Sequence, residues 1–468
     1  MKATTEIYKK QNQNVKNSVL ILISYATAFF SRIVNTLGVP AVINFAHFAV
    51  LPLACSIVIT STPVRDKQQI SIARGLLVSL FILLGVFTAS ALVTQAGLIN
   101  VFLAFMLLAE PFILLLAIIC IPFSPESLKR FKTWMLRFVG VHIFLAHAQH
   151  FLLDLGLLRV MNNMTKEDNV QGVFYLTGAG HVVGASVSMS FGLYYLVSAK
   201  TVPIWIRASI FFAAFFQLLF ADAKQVLMVW LAAGLLLILS KVNNIKATLQ
   251  YLIAAILIGY VLVWCIGNVE VFSGFNAWIR PELYGPDGDA TILKTEAFRI
   301  IPSYYKSPLN WLFGLGPGHT IGRLGGWMLK DYGNLLNPLG ATIHPASQAV
   351  WAAWHGGERA WLDSSFFSPL FGWAGIWGDS GFLGLAAYLY VCSVVWRRLC
   401  LDDFSRFMML TVLVFGLIFT QMEEPAYMLS VASLIGLQWH EKQIIKRSRL
   451  LSVYSVTETS PRQKQAKV

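Results

Sequence analysis

The chain has 468 residues, of which 56% are hydrophobic and 13% are charged. Soluble domains carry about a quarter charged residues, so this composition excludes an ordinary soluble protein and indicates a protein embedded in a membrane. The net charge of +13 does not indicate nucleic-acid binding, because the basic residues are concentrated in short segments between apolar runs. Such segments are typical of cytosolic connections between membrane spans.

Apolar runs of about 18–25 residues predict membrane-spanning helices. We expect twelve, near 18–37, 39–60, 73–94, 98–122, 133–155, 179–199, 203–221, 223–240, 248–267, 367–396, 406–421 and 425–439. With both termini in the cytosol, every strongly basic connection lies on the cytosolic side and one large, nearly neutral loop lies on the opposite side.

The predicted fold class is therefore all-α: a polytopic membrane protein with about twelve transmembrane helices and one large structured extracytoplasmic loop between the ninth and tenth. The chain divides into helices one to nine (1–267), the large loop (268–366), helices ten to twelve (367–440) and a cytosolic tail (441–468).

The first candidate site residues in chain order lie at the predicted outer ends of the spans. His181 opens the sixth span, and Asp222 and Lys224 lie in the tight turn between the seventh and eighth spans. Ionisable residues at such positions are costly unless they are paired or functional. Either Asp222 and Lys224 form an interfacial ion pair with Lys224 reaching toward water, or Lys224 faces an external cavity and binds an anionic ligand.

The large loop carries an arginine ahead of a glycine-rich turn. Arg299 lies in a predicted short helix over 291–305, and His319 follows the turn at 314–318. A guanidinium group keeps its charge and bonds two phosphate oxygens at once, so Arg299 suits a diphosphate ligand. The alternative is a surface arginine on an amphipathic helix. The Gly-Pro-Gly sequence predicts a turn first of all, although its glycines would also let backbone approach a ligand closely.

A second polar cluster precedes the tenth span. It contains His344, Glu358, Arg359 and Asp363, with a short helix predicted over 347–361. A histidine or carboxylate here could act as a general base near neutral pH. For each single residue a structural role is the alternative, and the hypothesis depends on their concentration just above a membrane span.

One acidic residue lies inside a predicted span. Asp379 is surrounded by small residues within the tenth span, so we expect it to be buried between helices, where it finds a cation or interrupts the helix. The five cysteines lie in or at the ends of spans, without a Cys-x-x-Cys pair. The sequence therefore predicts no metal site and no cofactor.

Taken together, these features resemble the O-antigen polymerase / O-antigen ligase superfamily. The resemblance rests on the span layout, the large loop, the cation between spans seven and eight, Arg299 before its glycine turn, and Gly-Asp-Ser-Gly-Phe-Leu-Gly at 378–384. It covers roughly 202–437. Members of this superfamily are bacterial membrane glycosyltransferases of the GT-C type, which use polyprenyl-diphosphate-linked glycans as donors and need no metal.

The resemblance implies roles for particular residues. Lys224 and Arg299 would contact the donor diphosphate, and the segment before the tenth span would supply the base on the acceptor side. The base is then Asp363, Glu358 or His344. Ligases similar to this chain have His-Asn at the start of that span, whereas this sequence has Asp363 followed by serine, which favours a polymerase.

The function implied is polymerisation or transfer of undecaprenyl-diphosphate-linked repeats at the outer face of the bacterial inner membrane. The transfer would be metal-independent and would invert the anomeric carbon. It would serve the synthesis of O-antigen, capsule or exopolysaccharide. The partners would be the lipid-linked donor, a glycan acceptor, the bilayer and a chain-length regulator protein. One alternative is a ligase acting on lipid A core or a protein. Another is a flippase or transporter for a lipid-linked sugar or small anion, which would place its charges nearer the bilayer midplane.

Overall fold

The computed structural model describes residues 2–62, 66–161, 164–241, 245–269, 272, 281–356, 362 and 367–459. Within these ranges all regular structure is helical, which confirms the predicted all-α fold class. In chain order the α-helices are α1 (Lys2–Phe29), α2 (Ser31–Thr36), α3 (Ala46–Ser61), α4 (Lys67–Thr94), α5 (Leu98–Cys120), α6 (Pro125–Asp154), α7 (Gly180–Ser198), α8 (Ile204–Phe220), α9 (Lys224–Leu239), α10 (Ile245–Asn268), α11 (Pro281–Tyr284), α12 (Asp289–Ser303), α13 (Leu309–Phe313), α14 (Leu329–Asp331), α15 (Gly333–Leu336), α16 (Pro345–His355), α17 (Gly372–Arg398), α18 (Asp403–Ile418) and α19 (Pro425–Thr459).

Several of these helices can cross a membrane. Among the residues that the structure describes, five helical segments are long and apolar enough by length and composition: Ala41–Ser61, Lys67–Thr94, Leu98–Cys120, Pro125–Asp154 and Gly372–Arg398. The chain is therefore a membrane protein by the character of its helices. Helices also coincide with the other predicted spans, but the total of twelve and the side on which the large loop lies remain predictions.

Helix α5 lies at the centre of the bundle. It packs against α3, α4 and α19, and 83% of its most apolar stretch is buried. A helix that is apolar all round is expected to be surrounded by others. Its two polar residues, Asn100 and Glu110, are fully buried, so each needs a partner on a neighbouring element.

The first predicted span is interrupted near its end. Helix α1 ends at Phe29 and α2 begins at Ser31, whose hydroxyl donates to the Ala28 carbonyl at 3.3 Å. A serine hydroxyl that bonds the preceding turn competes with the helical backbone bonds and favours such a distortion. As a result Arg32 lies on a short separate helix at one end of the bundle.

The large loop folds onto the start of α17. The predicted helix over 291–305 is confirmed as α12, and the helix predicted over 347–361 begins two residues earlier as α16. Buried apolar residues of α12 and α16 pack with those of α17 in one cluster, formed by Ala297, Ile301, Leu315, Ile321, Ala346, Val350, Leu370, Phe371, Ala374 and Trp377. The described part of the loop is thus a folded cap.

Helix α17 is broken where the cap meets it. Gly381 has φ 63° and ψ −162°, a conformation that side chains disfavour. The break frees two carbonyl groups: the Gly378 carbonyl accepts from Leu315 N–H at 2.8 Å, and the Asp379 carbonyl accepts from Gly316 N–H at 2.9 Å. The glycine turn of the loop therefore replaces the lost helical bonds, as backbone inside a membrane protein requires.

Candidate functional site

A small cavity lies where the loop cap meets α2, α3 and α5. The space open to the centre of a water molecule is about 20 Å³, which is room for about one water molecule. Its apolar walls include Phe45, Phe48 and Leu107. Its polar walls are formed by Arg32, Asn44, His47, Arg323 and Tyr332.

Two arginines share this cavity. Arg32 donates to the Tyr332 hydroxyl at 3.3 Å. Arg323 forms an ion pair with Glu424, and its guanidinium carbon lies 5.0 Å from the ring centroid of Trp327. Burial and then the nearby charge of Arg32 lower the pKa of Arg323 to about 9, so Arg323 remains charged at neutral pH. Two guanidinium groups therefore repel each other across a small space.

The carboxylates near Arg323 compensate only part of this positive charge. Glu423 accepts a hydrogen bond from the backbone N–H of Arg323 at 2.7 Å. Burial raises the pKa of Glu423 to about 8 despite that bond, so its carboxyl group is protonated at pH 7. Glu424 then balances Arg323, whereas the hydrogen bond that Arg32 makes goes to a neutral phenol.

One histidine of the cavity wall, His47, contacts a buried glutamate behind it, Glu110. His47 Nδ1 lies 2.9 Å from both carboxyl oxygens of Glu110. The exposed fractions of the two residues are 5% and 0%. This contact joins the start of α3 to the middle of α5 and satisfies the buried acid.

Asp379 holds the loop rather than a ligand. Its carboxylate accepts from Gly318 N–H at 2.7 Å, from Thr320 N–H at 2.8 Å and from the Thr320 hydroxyl at 2.5 Å. The sequence predicted that this acid would find a cation or interrupt its helix. The helix does break two residues later, at Gly381, and the acid accepts hydrogen bonds from neutral donors on Gly318 and Thr320.

His319 and His344 stack with ring centroids 5.5 Å apart. His319 uses both ring nitrogens: Nδ1 lies 2.8 Å from the Leu315 carbonyl and Nε2 lies 2.8 Å from the Thr342 hydroxyl. His344 Nδ1 accepts from the Ala346 N–H at 3.1 Å and caps α16. Burial lowers the pKa of both rings. In this conformation neutral His344 carries its proton on Nε2 and presents a donor, which does not suit a general base.

The two predicted diphosphate contacts lie on different helices, and each has a carboxylate partner. Lys224 forms an ion pair with Asp222, as one of the two interpretations predicted. Arg299 forms an ion pair with Glu296, and its side chain is 75% exposed. Helix α9, which Lys224 begins, packs mainly against α18, whereas the helix of Arg299, α12, packs against α16.

His181 lies near the Lys224–Asp222 pair. Its Nε2 is 3.4 Å from a carboxyl oxygen of Asp168, and Asp222 is close enough to influence it electrostatically. His181, Asp222 and Lys224, which the sequence singled out separately, are therefore neighbours. Asp168 completes this group, and its place in a connection after α6 carried no sequence signal.

Several predicted residues cannot be placed. Asp363, Glu358 and Arg359 lie outside the described residues.

Conversely, the cavity uses residues that the sequence analysis did not select: Arg32, Arg323, and the His47–Glu110 pair. The signal that could have indicated three of them is an ionisable residue inside or at the end of an apolar span. Arg323 carried no such signal, because it lies in the loop.

Comparisons with known proteins do not identify the chain. The sequence matches no model of a known protein family, and no curated protein is significantly similar to it. Among the residues that the structure describes, no group of three histidine, cysteine or acidic side chains is arranged to hold a metal ion. Function must therefore be argued from the geometry of the cavity.

Proposed function

We propose that the chain is a membrane glycosyltransferase that takes glycans from a polyprenyl-diphosphate carrier, as a polysaccharide polymerase. One observation carries the proposal: Arg32 and Arg323 share a cavity next to apolar helices, where Arg323 pairs with Glu424 and Arg32 donates to a phenol hydroxyl. Burying like charges side by side is unfavourable. An anion bound between them would relieve the repulsion, and a diphosphate on a lipid reaches this position from the bilayer.

The size of the cavity limits how such a donor binds. With room for about one water molecule, the cavity admits phosphate oxygens and excludes a sugar ring. Donor binding therefore has to widen it. Arg32 is the wall residue best able to move, because it is half-buried on a short helix and its hydrogen bond to Tyr332 is long, at 3.3 Å. The glycan and the prenyl chain would lie outside the cavity.

In the proposed reaction an acceptor hydroxyl attacks the anomeric carbon, and the bond from that carbon to the diphosphate breaks with inversion. The arginines stabilise the negative charge that develops on the leaving diphosphate, which is electrostatic catalysis without a metal. Lys224 and Arg299 remain candidates for contacts to outer parts of the donor. Asp363 and Glu358 remain candidates for the base that the family resemblance implies.

Two other functions share parts of this chemistry. A ligase would use the same donor and a different acceptor, lipid A core or a protein. A flippase or transporter is favoured by one observation, the break of α17 at Gly381 inside an apolar helix, because transporters build sites from interrupted helices. In this chain the freed carbonyl groups bond the loop turn rather than facing a binding site.

Reconstitution separates these functions. The purified protein would be placed in liposomes with the lipid-linked glycan that accumulates in cells lacking the chain. A ladder of lengthening lipid-linked glycans supports the polymerase. Transfer of a whole glycan to lipid A core or a protein identifies a ligase, and movement across the bilayer without new bonds identifies a flippase. Loss of the ladder in Arg32→Gln and Arg323→Gln would link it to the cavity.

A further inference from the structure

We propose that the short helix α13 anchors the loop cap in the bilayer: its apolar side chains insert among the acyl chains of the nearer leaflet, and basic side chains beside it bind phospholipid phosphates. The inference concerns how the cap is held at the membrane, and it does not depend on the proposed glycosyl transfer. Three observations carry it, namely the exposed apolar surface around α13, the depth of α13 along α4, and the charges next to that surface.

Helix α13 exposes its apolar side chains although its backbone is packed against α4 and α17. None of its five residues is buried. With one phenylalanine each from α12 and α17 they form an exposed surface, here called the α13 patch, which consists of Phe298, Leu309, Trp311, Leu312 and Phe382, each between 44% and 52% exposed. Large apolar side chains gathered in this way indicate a contact with lipid or with a partner.

Ring contacts make the α13 patch one continuous surface. The ring of Trp311 stacks with that of Phe382 at a centroid distance of 6.2 Å and lies 6.1 Å from the ring of Trp377. Trp377 is buried, and its ring lies 5.5 Å from that of Phe298. Beyond Phe382 the exposed apolar side of α17 continues with Leu389. The patch therefore extends the lipid-facing surface of a membrane helix onto the cap.

Two hydrogen bonds of α4 show the depth at which α13 lies. Near the start of α4 the Ser71 hydroxyl accepts from Arg398 at 2.7 Å, and near its end the Ser90 hydroxyl donates to the Phe313 carbonyl at 2.6 Å. About 19 residues separate the two serines, or roughly 28 Å of helix. The hydrocarbon layer of a bilayer is about 30 Å thick. If the charged Arg398 lies at one edge of this layer, α13 lies at the opposite edge.

The backbone of α13 faces the bundle. A Cβ atom on Gly381 would lie 2.3 Å from the Leu312 carbonyl carbon, so α13 packs directly on α17 at this glycine. The bond from Ser90 holds its other contact, with α4. The side chains of Leu309 and Trp311 are therefore left on the side away from both helices. Past Ser90, α4 itself exposes Leu92, which indicates that lipid reaches this level.

Basic side chains flank the α13 patch. Arg299 of α12 is 75% exposed and pairs with Glu296. Lys306 is exposed and follows Tyr305, whose ring centroid lies 5.1 Å from that of Trp311. Tryptophan is enriched at membrane interfaces, and arginine and lysine near an apolar surface attract anionic headgroups. The patch and its cations thus match a phospholipid, with acyl chains against the rings and phosphate against the charges.

Lipid fits this surface better than a glycan does. A sugar could stack on Trp311, but its hydroxyl groups would then lie against the aliphatic side chains of Leu309 and Leu312. Placing hydroxyl groups there without hydrogen-bond partners is unfavourable. At the depth of α13, a glycan would also have to displace hydrocarbon.

Spin labels test the depth of α13 in the full chain, reconstituted in phospholipid vesicles. Leu309→Cys would carry a nitroxide in a background of Cys265→Ala and Cys392→Ala, because the other three cysteines are buried. Oxygen dissolves in hydrocarbon whereas a nickel chelate stays in water, so the ratio of their collision rates with the label reports its depth. We expect a ratio at Leu309 several-fold higher than that of a label in water.

Two matched positions calibrate the measurement. Phe81→Cys, on the exposed side of α4, should report hydrocarbon, and Asp287→Cys, exposed in the cap, should report water. Leu312→Cys repeats the test if Leu309→Cys fails to fold. All four labels are compared in the same vesicles.

The charges are tested by adding phosphatidylglycerol to vesicles of phosphatidylcholine. The anionic lipid should lower the collision rate of the nickel chelate with the Leu309 label, and Arg299→Gln combined with Lys306→Gln should abolish that decrease. Arg74→Gln, exposed on α4, should leave it unchanged. A decrease that survives the double substitution would contradict phosphate binding by these two residues.

The remaining outcomes each decide the proposal. Collision rates at Leu309 equal to those at Asp287 overturn the anchor, and shielding of such a label by added oligosaccharide would assign the patch to a glycan. Shielding from both oxygen and nickel, with dipolar broadening between labels, would show that a second copy covers the patch, which also overturns the proposal. Rates at Leu309 that match those at Phe81 support it, whether or not the reconstituted protein transfers glycan.

Discussion

The carboxylate of Asp379 holds Thr320 at two points, accepting its backbone N–H at 2.8 Å and its hydroxyl at 2.5 Å. Through this contact a membrane helix positions the glycine turn of the loop cap. The same turn continues into Arg323, one of the two arginines of the cavity. Anchoring of the loop and construction of the candidate site are therefore linked.

Replacing Asp379 by asparagine should detach this turn. One carboxyl oxygen is replaced by an amide nitrogen, which cannot accept a hydrogen bond from the donors that it faces. A buried hydrogen bond is therefore lost, and unpaired donors remain. We expect a loss of about 2–4 kcal/mol in the free energy of unfolding and faster proteolysis near the turn. Asp287→Asn, at an exposed loop position, is the control. Equal protease resistance of the two variants would contradict the anchoring role.

Gly381→Ala tests whether the break in α17 is required. The new Cβ would lie 2.3 Å from the Leu312 carbonyl carbon, and the residue would keep a positive φ. We expect destabilisation of at least about 2 kcal/mol, from strain and steric overlap together, measured as the unfolding midpoint in detergent. Gly85→Ala in α4 is the matched control, because nothing lies within 4 Å of its Cβ. A stable, active Gly381→Ala would show that the break is dispensable.

Arg32→Gln and Arg323→Gln should each weaken binding of undecaprenyl diphosphate by about 10–100-fold. The reason is that a charge-assisted hydrogen bond is worth about 1.5–3 kcal/mol. Binding would be measured by the quenching of tryptophan fluorescence or by thermal shift. Arg74→Gln, exposed on α4, provides the control for charge alone.

The same measurement tests the hypothesis drawn from the sequence. If Lys224→Ala and Arg299→Ala weaken diphosphate binding more than the cavity variants do, the diphosphate lies beside Lys224 and Arg299 instead. The exposed ion pair of Arg299 with Glu296 makes a small effect the expected outcome at that position, since surface ion pairs and exposed cations are well hydrated.

Glu423 should make stability depend on pH. Its pKa is raised by burial to about 8 in the folded protein, from an ordinary value of 4.5. Between these values the folded state holds a proton that the unfolded chain releases, so this contribution to stability is complete below about pH 4.5 and is lost as pH rises through 8. We expect the unfolding midpoint to fall from pH 5 to pH 8.5, and Glu423→Gln to flatten that slope. An unchanged slope would show that Glu423 is ionised throughout.

Much of the helical framework could be predicted from local sequence. The apolar runs correspond to helices, and the glycine-rich turn at 314–318 lies between helices as its composition predicts. The loop helix α12 was predicted to within two residues at each end. Boundaries were missed where a long-range contact decided them. In α17 the sequence predicted an interruption at Asp379 as one of two alternatives, and the break lies at Gly381, where the glycine turn of the loop satisfies the freed carbonyl groups.

The candidate site was predicted less well. Lys224 and Arg299 carry the right charge, yet each has a carboxylate within a few residues along the chain. Arg323 was passed over because nothing in its local sequence distinguishes it from other loop arginines. Its burial, its pairing with Glu424 and its closeness to Arg32 all involve residues about 100 or more positions away.

The amino-acid sequence by itself determined that this is an all-helical membrane protein with a polar loop rich in candidate site residues, because hydropathy and turn propensity act over a few neighbouring residues. Only the tertiary structure decided which charges meet. Helix packing brings Arg32 and His47 to one cavity with Arg323 of the loop, and it places the Glu110 carboxyl against His47. Electrostatic interactions depend on distance and burial, and neither can be read along the chain.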